Sequence, residues 1–415
     1  MDGANFLEAA ATPIRRAAVV GAGTMGTGIA IAFANADIPV VLTDASDESL
    51  GRARAAIAAY FAGQTAKGRI DDAQRERRIA GIRLSEHLDD VADADAVVEA
   101  VFERADLKRE VFAQLGARCG AGALLATNTS TLDVDAIAAA APHLERSLGL
   151  HFFSPAHVMK LLEVVRGAKT SPQTLDRAVA LAKRLGKIPV VVGNCDGFVG
   201  NRMLLGYRRE ADFLVLAGVR PEGVDRTLEE FGFAMGPFAV ADLAGIDIGY
   251  NAKRERIARG AAPPFAVTDL PDAFVAAGRL GQKTGQGWYR YEPGDRTRRP
   301  DPAIEPFIEA ERARLGVTER AVSHEEIVER CVYALINEGA RILGDGIAAS
   351  ASDIDTVWIN GYGFPKARGG PMKYAEDIGL LNVLAAIERY ALADPAFWRP
   401  APLLVAAAKE GRFPA

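Results

Sequence analysis

AAVVGAGTMGTGIAIAFANADIPVVLTD, residues 17–44, is the stretch that decides the fold. Residues 17–20 form a short apolar run that reads as a buried strand, and residues 27–34 read as an apolar helix. Between them lies Gly21-Ala22-Gly23-Thr24-Met25-Gly26. A GxGxxG pattern alone is a weak signal; a strand before it and a helix after it give it meaning. The glycines permit a tight turn and a close backbone approach to a pyrophosphate. The helix N-terminus adds oriented N–H groups and partial positive charge. A second strand, residues 38–43, ends in Asp44. A carboxylate there accepts hydrogen bonds from a ribose and repels a 2′-phosphate, which favours NAD over NADP. Asp44 alone would read as a helix cap before Ser46. The ordered series of strand, glycines, helix, strand and acid makes it a cofactor residue instead, with Gly21, Gly23, Thr24, Met25 and Gly26.

Outward from this stretch the chain keeps alternating. Residues 47–90 read as a long helical stretch rich in Ala, Arg and Glu, with Lys67, Arg69, Arg75, Arg77 and Arg78 along it. That positive cluster either meets an anionic substrate tail or is a solvated helix face. Residues 94–101 read as the next strand, followed by Glu103 and a helix from Leu107 that bears Lys108. Leu124-Leu125-Ala126 then leads into Thr127-Asn128-Thr129-Ser130-Thr131, a polar cluster at a strand's carboxyl end, where open α/β sheets bind ligands. Ser130 is a candidate to hold a substrate oxygen, or else the N-cap of a helix near Asp135. The alternation predicts an α/β, Rossmann-type doubly wound sheet over residues 1–190.

Residues 147–165, SLGLHFFSPAHVMKLLEVV, read as two short buried strands interrupted at Ser154-Pro155, since proline cannot donate to a sheet ladder. His151 falls near the end of the first strand and Glu163 inside the second. Titratable groups are rarely placed on buried strands unless paired. The two therefore form a candidate dyad, in which the carboxylate fixes the imidazole tautomer and the imidazole moves a proton.

Composition narrows the function classes. A chain of 415 residues with 49% hydrophobic content is long enough for two or three domains. A net charge of −5 argues against a nucleic-acid binder. Three scattered cysteines with no CxxC pair suit a reducing compartment, and five histidines without HExxH spacing argue against a catalytic metal. The N-terminus lacks the apolar core of a secretory signal, and no apolar run reaches the length of a membrane span. The expectation is a cytoplasmic protein.

Past Pro189 the pattern turns helical, opening with Asp196-Gly197-Phe198-Val199-Gly200-Asn201-Arg202, and an internal repeat appears. Glu210, Val224-Asp225, Gly236-Pro237 and the DLAG ending at Gly245 recur as Glu338, Ile354-Asp355, Gly370-Pro371 and the EDIG ending at Gly379. Residues 191–291 are expected to be a first helical domain that closes on substrate. Residues 292–323, opening with Pro293, Pro300, Pro302 and Pro306, read as a linker with a short helix. Residues 324–415 read as a second, degenerate helical copy. In this register Asn201 falls opposite Glu329, so copy one is expected to serve a site and copy two to serve packing.

Taken together, Gly21 to Gly26, Glu99-Ala-Val-Phe-Glu103, Asn128-Thr-Ser130, His151-Phe-Phe-Ser-Pro155 through Glu163, Gly197-Phe-Val-Gly-Asn201-Arg and Gly281-Gln-Lys-Thr-Gly-Gln-Gly-Trp288 resemble the L-3-hydroxyacyl-CoA dehydrogenases. The duplicated helical part is similar to the dehydrogenase half of multifunctional fatty-acid β-oxidation enzymes. The resemblance implies NAD-linked oxidation of a (3S)-3-hydroxyacyl-CoA, with His151 as general base and Glu163 orienting it. It implies that Ser130 and Asn201 hold the substrate oxygen, that Glu103, Lys108 and Lys283 lie near the nicotinamide end, and that Lys67 contacts CoA. Ser154 stands where single-domain members usually carry Asn, at a cofactor contact. No hydratase half precedes Ile14, so the chain reads as a free-standing dehydrogenase or an excised portion, with a hydratase or thiolase as candidate partner. Single-copy relatives pair through the helical domain, so two copies in one chain predict a monomer with an internal pseudo-dimer.

The chemistry suits the residues. An alcohol cannot lose its proton unaided while hydride leaves the adjacent carbon, and a histidine side chain, titrating at about 6.5 in a model peptide, can accept it near neutral pH. Two other readings stay open. One is a short-chain 3-hydroxybutyryl-CoA dehydrogenase working as an acetoacetyl-CoA reductase. The other is a non-catalytic NAD- or acyl-CoA-binding protein on the same fold.

Overall fold

The computed structural model describes residues 13–414, so most of the N-terminal stretch read for a targeting signal lies outside the described residues. One compact unit ends at Phe198 and a second begins at Val199.

The first unit is built on an eight-stranded sheet: β1 (Ala17–Val20), β2 (Val40–Thr43), β3 (Ile82–Ser85), β4 (Ala96–Glu99), β5 (Leu124–Thr127), β6 (Ser147–Phe152), β7 (Leu161–Arg166) and β8 (Ile188–Gly193). The spatial order is β3-β2-β1-β4-β5-β6-β7-β8, parallel throughout except for the antiparallel β6–β7 pair. This is the expected doubly wound sheet. Its central strands are apolar and buried throughout because helices cover both faces: α1 (Thr24–Asn35), α2 (Asp47–Ala66), α3 (Asp72–Ala80), α4 (Ala105–Arg118), α5 (Val134–Ala138) and α6 (Pro172–Arg184). The chain leaves β1 for β2 on one side and later returns to β4 on the other. That reversal of strand order is where such sheets bind ligands.

Two readings change. Residues 47–90 are not one helical stretch: Gly68, in the left-handed region at φ 66°, ends the segment after α2, and Ile82–Ser85 forms β3 at the sheet edge. Four residues with one partner strand and half-exposed side chains carry too little periodic signal to betray a strand. The strand β8 runs to Gly193, past the boundary placed at residue 190.

The second unit is helical: α7 (Gly200–Leu216), α8 (Pro221–Phe231), α9 (Pro237–Ala244), α10 (Ile246–Ala258), α11 (Leu270–Ala276), α12 (Glu305–Leu315), α13 (His324–Gly344), α14 (Ala351–Gly361), α15 (Pro371–Ile378), α16 (Leu380–Ala391), α17 (Pro395–Trp398) and α18 (Pro402–Glu410). The repeat is physical. Helices α7 to α10 correspond to α13 to α16, and the same buried carboxylate organises each copy. Asp225 on α8 accepts from the Phe238 and Ala239 amides at the start of α9 (3.0 and 2.9 Å). Asp355 on α14 accepts from the Met372 and Lys373 amides at the start of α15 (2.7 and 3.1 Å). In each copy a Cβ on the glycine before the capped helix, Gly236 or Gly370, would sit 2.3 Å from that aspartate. Arg202 of α7 pairs with Glu338 of α13 at 2.6 Å, and Arg330 of α13 with Glu210 of α7 at 2.7 Å. Each arginine and each glutamate is the repeat counterpart of the other, the crosswise signature of a two-fold contact. Among the described residues no helix is long and apolar enough to cross a membrane.

Candidate active site

The glycine turn is shaped for a phosphate. Gly21 has φ 104°, and a Cβ there would lie 2.6 Å from the Ala100 carbonyl oxygen, against the exit of β4. A Cβ on Gly26 would lie 1.8 Å from the Gly21 carbonyl, so only glycine allows α1 to start this close to β1. Gly23 is different: a Cβ there meets nothing within 4 Å, so the turn opens onto space at its middle. Helix α1 begins with no side-chain cap and no acidic residue in its first turn, which leaves its leading amides and dipole for a ligand anion. Thr24 is exposed and Met25 half-buried at that end. Asp44, at the end of β2, accepts from the Ala22 amide at 2.7 Å and the Ser46 amide at 2.9 Å, while Ser46 itself caps α2. The carboxylate therefore sits on the glycine turn, where a ribose would meet it. These residues fit a dinucleotide.

On β6 and β7 the predicted dyad is formed. His151 and Glu163 are direct register partners across the antiparallel pair, and Nδ1 lies 2.6 Å from Glu163 Oε2. Glu163 is fully buried and His151 nearly so. Phe153 and Phe198 flank the imidazole, with ring centroids at 4.5 and 5.7 Å. A buried carboxylate at Nδ1 holds the proton there and leaves Nε2 as the basic nitrogen. Among the described residues Nε2 has no hydrogen-bond partner. Asn128 Oδ1 accepts from the Phe152 amide at 2.9 Å, tying the end of β6 to the segment after β5.

Ser130 is not the N-cap of the helix near Asp135; Asp133 caps α5. The Ser130 amide and hydroxyl both donate to Glu103 Oε1, at 2.8 and 3.2 Å, and the Thr129 hydroxyl donates to the same oxygen at 2.6 Å. Lys108 is buried, 2.8 Å from Glu99 and 3.3 Å from Glu103. Burial raises the Glu103 carboxyl, but the Lys108 charge and the bonds from Thr129 and Ser130 outweigh it and hold the group below the usual carboxylate range. Glu103, Lys108 and Ser130 thus form one ionic cluster at the carboxyl ends of β4 and β5. Sequence reasoning missed Glu99 and Thr129 as its supports. An acid ending an apolar strand, with a lysine nine positions on, was the available signal.

The remaining assigned residues are described by their own surroundings. Lys67 is exposed at the end of α2. The arginines read with it turn to local partners: Arg69 to Gln64, Arg75 to Asp72, Arg77 to Asp37 and Arg78 to Asn35. Ser154 is exposed after β6. In the helical unit, Lys283 pairs with Asp247 at 2.5 Å, and Asn201, on the first turn of α7, accepts from the Tyr362 hydroxyl at 2.9 Å. Among the described residues no group of three side chains is placed to hold a metal ion.

Comparison with known proteins agrees with this geometry. Residues 16–195 match the 3-hydroxyacyl-CoA dehydrogenase NAD binding domain, and residues 197–291 with 327–415 match the 3-hydroxyacyl-CoA dehydrogenase C-terminal domain. The peroxisomal bifunctional enzyme of Cavia porcellus is 45% identical over 95% of this chain and 56% of its own length, so the chain spans about half of that relative. Among solved structures, 3-hydroxybutyryl-CoA dehydrogenase of Escherichia coli K12 superposes with a TM-score of 0.82 at 27% identity, over 96% of this chain and 99% of that one. The dehydrogenase part of multifunctional enzyme 1 from C. elegans follows at 0.68 and 29%, over 95% and 90%. NAD is the cofactor. The chain belongs to the 3-hydroxyacyl-CoA dehydrogenase family and is related to the multifunctional enzymes of fatty-acid β-oxidation.

Proposed function

We propose that this chain oxidises (3S)-3-hydroxyacyl-CoA to 3-ketoacyl-CoA, with His151 as the general base. The observation that carries the reading is the 2.6 Å contact between His151 Nδ1 and a fully buried Glu163, which leaves Nε2 as the proton acceptor. Hydride acceptance at the nicotinamide is the chemistry that NAD supplies when bound. The residues of the chain do the rest. Gly21, Gly23, Thr24, Met25 and Gly26 seat the pyrophosphate, Asp44 holds the ribose, and the cluster of Glu103 and Lys108 shapes the nicotinamide end with Ser154 and Lys283. His151 takes the hydroxyl proton as the alcohol becomes a ketone. Glu163 stabilises the resulting imidazolium, most strongly because water is kept from it. Ser130 and Asn201 orient the substrate oxygen, and Lys67 meets the CoA end.

Replacing His151 with Gln should leave NAD(H) binding intact and lower acetoacetyl-CoA reduction at least about a hundredfold. Near-normal turnover in that variant would overturn the assignment. A second reading has its own observation: the E. coli structure with TM-score 0.82 is that of a 3-hydroxybutyryl-CoA dehydrogenase. Rates on C4, C10 and C16 substrates separate a short-chain enzyme from a long-chain one. We also propose a monomer, because the crosswise ion pairs of the two helical copies are already made within one chain. A hydratase would supply its substrate and a thiolase consume its product. Three scattered cysteines with no CxxC pair suit the reducing cytoplasm, and the guinea-pig relative bears a peroxisomal name.

A further inference from the structure

We propose that Tyr362, a residue of the second helical copy, is a positioning residue for Asn201, fixing which end of its amide is offered to the substrate oxygen. The inference rests on the substrate-holding role given to Asn201 above. An asparagine amide has an acceptor end and a donor end, and an oxygen becoming a carbonyl is stabilised only by the donor. The Tyr362 hydroxyl donates to Asn201 Oδ1 at 2.9 Å. With Oδ1 engaged, the amide is held with Nδ2 as the end turned away from the phenol.

The phenol is itself held in place. Its ring stacks on Trp358 at 4.8 Å and 25°, and Trp358 is buried with Nε1 3.1 Å from Met203 Sδ on α7. Gly200, the residue before Asn201, makes room for it: a Cβ there would lie 2.3 Å from the Tyr362 ring. In the repeat register set by Asp225 and Asp355, Tyr362 corresponds to Gly232, the helix-ending glycine of copy one at φ 122°. Copy two thus places an aromatic where copy one has no side chain, and that aromatic reaches across to the first turn of α7. The second copy does more than pack.

The test is Tyr362→Phe, which keeps the ring, its stack on Trp358 and its fit over Gly200, and removes only the hydroxyl. The expected result is a fall of about tenfold in kcat for acetoacetyl-CoA reduction, with KM for NADH unchanged. In an Asn201→Ala background the same substitution should change kcat by less than about twofold, because the group it orients is gone. Wild-type turnover in Tyr362→Phe, or a full tenfold effect persisting without Asn201, would overturn the role of Tyr362. The double-variant comparison holds even where the single variant loses some stability. If Asn201→Ala alone has normal turnover, the role of Asn201 fails, and that of Tyr362 with it; an impaired Asn201→Ala beside a normal Tyr362→Phe sinks only the latter.

Discussion

The two helical copies share one skeleton and differ where chemistry is expected. Both anchor a short helix on a buried aspartate, Asp225 or Asp355, and both meet across the pair α7 and α13 through matched arginine–glutamate bridges. Asp242 in copy one accepts from the Trp288 and Tyr289 amides, and its counterpart Glu376 accepts from the Phe413 amide. Where the copies part, copy one carries Asn201 and copy two carries Glu329, whose carboxylate is used up by Tyr390 and Arg389 of α16. Skeleton positions are held by backbone amides that any sequence possesses, so both copies keep them. The divergent position has no such constraint, and in copy two its charge has become an internal tie.

The largest test of that comparison is to remove the anchors. Asp225→Ala should cost about 3–4 kcal/mol of unfolding free energy in the helical unit and Asp355→Ala about 2–3, since each strands two buried amides and Asp225 also loses the Tyr289 hydroxyl. All three tryptophans, Trp288, Trp358 and Trp398, lie in this unit, so tryptophan fluorescence during urea unfolding follows it alone. Equal stability to wild type in either variant would show that the shared skeleton is not what holds the copies. Next comes the divergent position. Asn201→Ala should lower kcat about a hundredfold, while Glu329→Ala should leave kcat within about twofold and cost about 1 kcal/mol. A comparable loss of turnover from both would erase the distinction between the copies.

The last test is in pH. Burial pushes the Asp355 carboxyl up to about 7 and that of Asp225 up to about 6, against the hydrogen bonds each accepts. A carboxyl raised in the folded state contributes stability that is complete below its ordinary value of 3.8 and is lost as pH rises through about 7. The stability of wild type relative to Asp355→Asn should therefore decline between about pH 4 and about pH 7, and a flat difference would contradict it.

Much of the nucleotide-binding unit was legible because its signals are local. Residues 17–44 state strand, turn, helix and acid within one βαβ unit, and His151 and Glu163 sit on adjacent strands whose register the Pro155 break makes short-range. The edge strand Ile82–Ser85 was hidden because four half-exposed residues look like the end of a helix. Glu99 and Thr129 were missed as supports because their roles depend on β4 and β5 lying side by side. Tyr362 was out of reach for the same reason at longer range: its partner lies 161 positions away, and repeat register alone places it opposite a glycine.

The crosswise bridges between α7 and α13 have an evolutionary consequence. In a symmetric pair of identical chains every substitution at the contact is made twice, so a tyrosine that helps one half is forced on the other, where it has no task. Joining the halves covalently frees each from its twin, and an interface of this kind can specialise one residue at a time. It also cannot come apart on dilution, so the fit between the halves no longer depends on how much of the protein a cell makes.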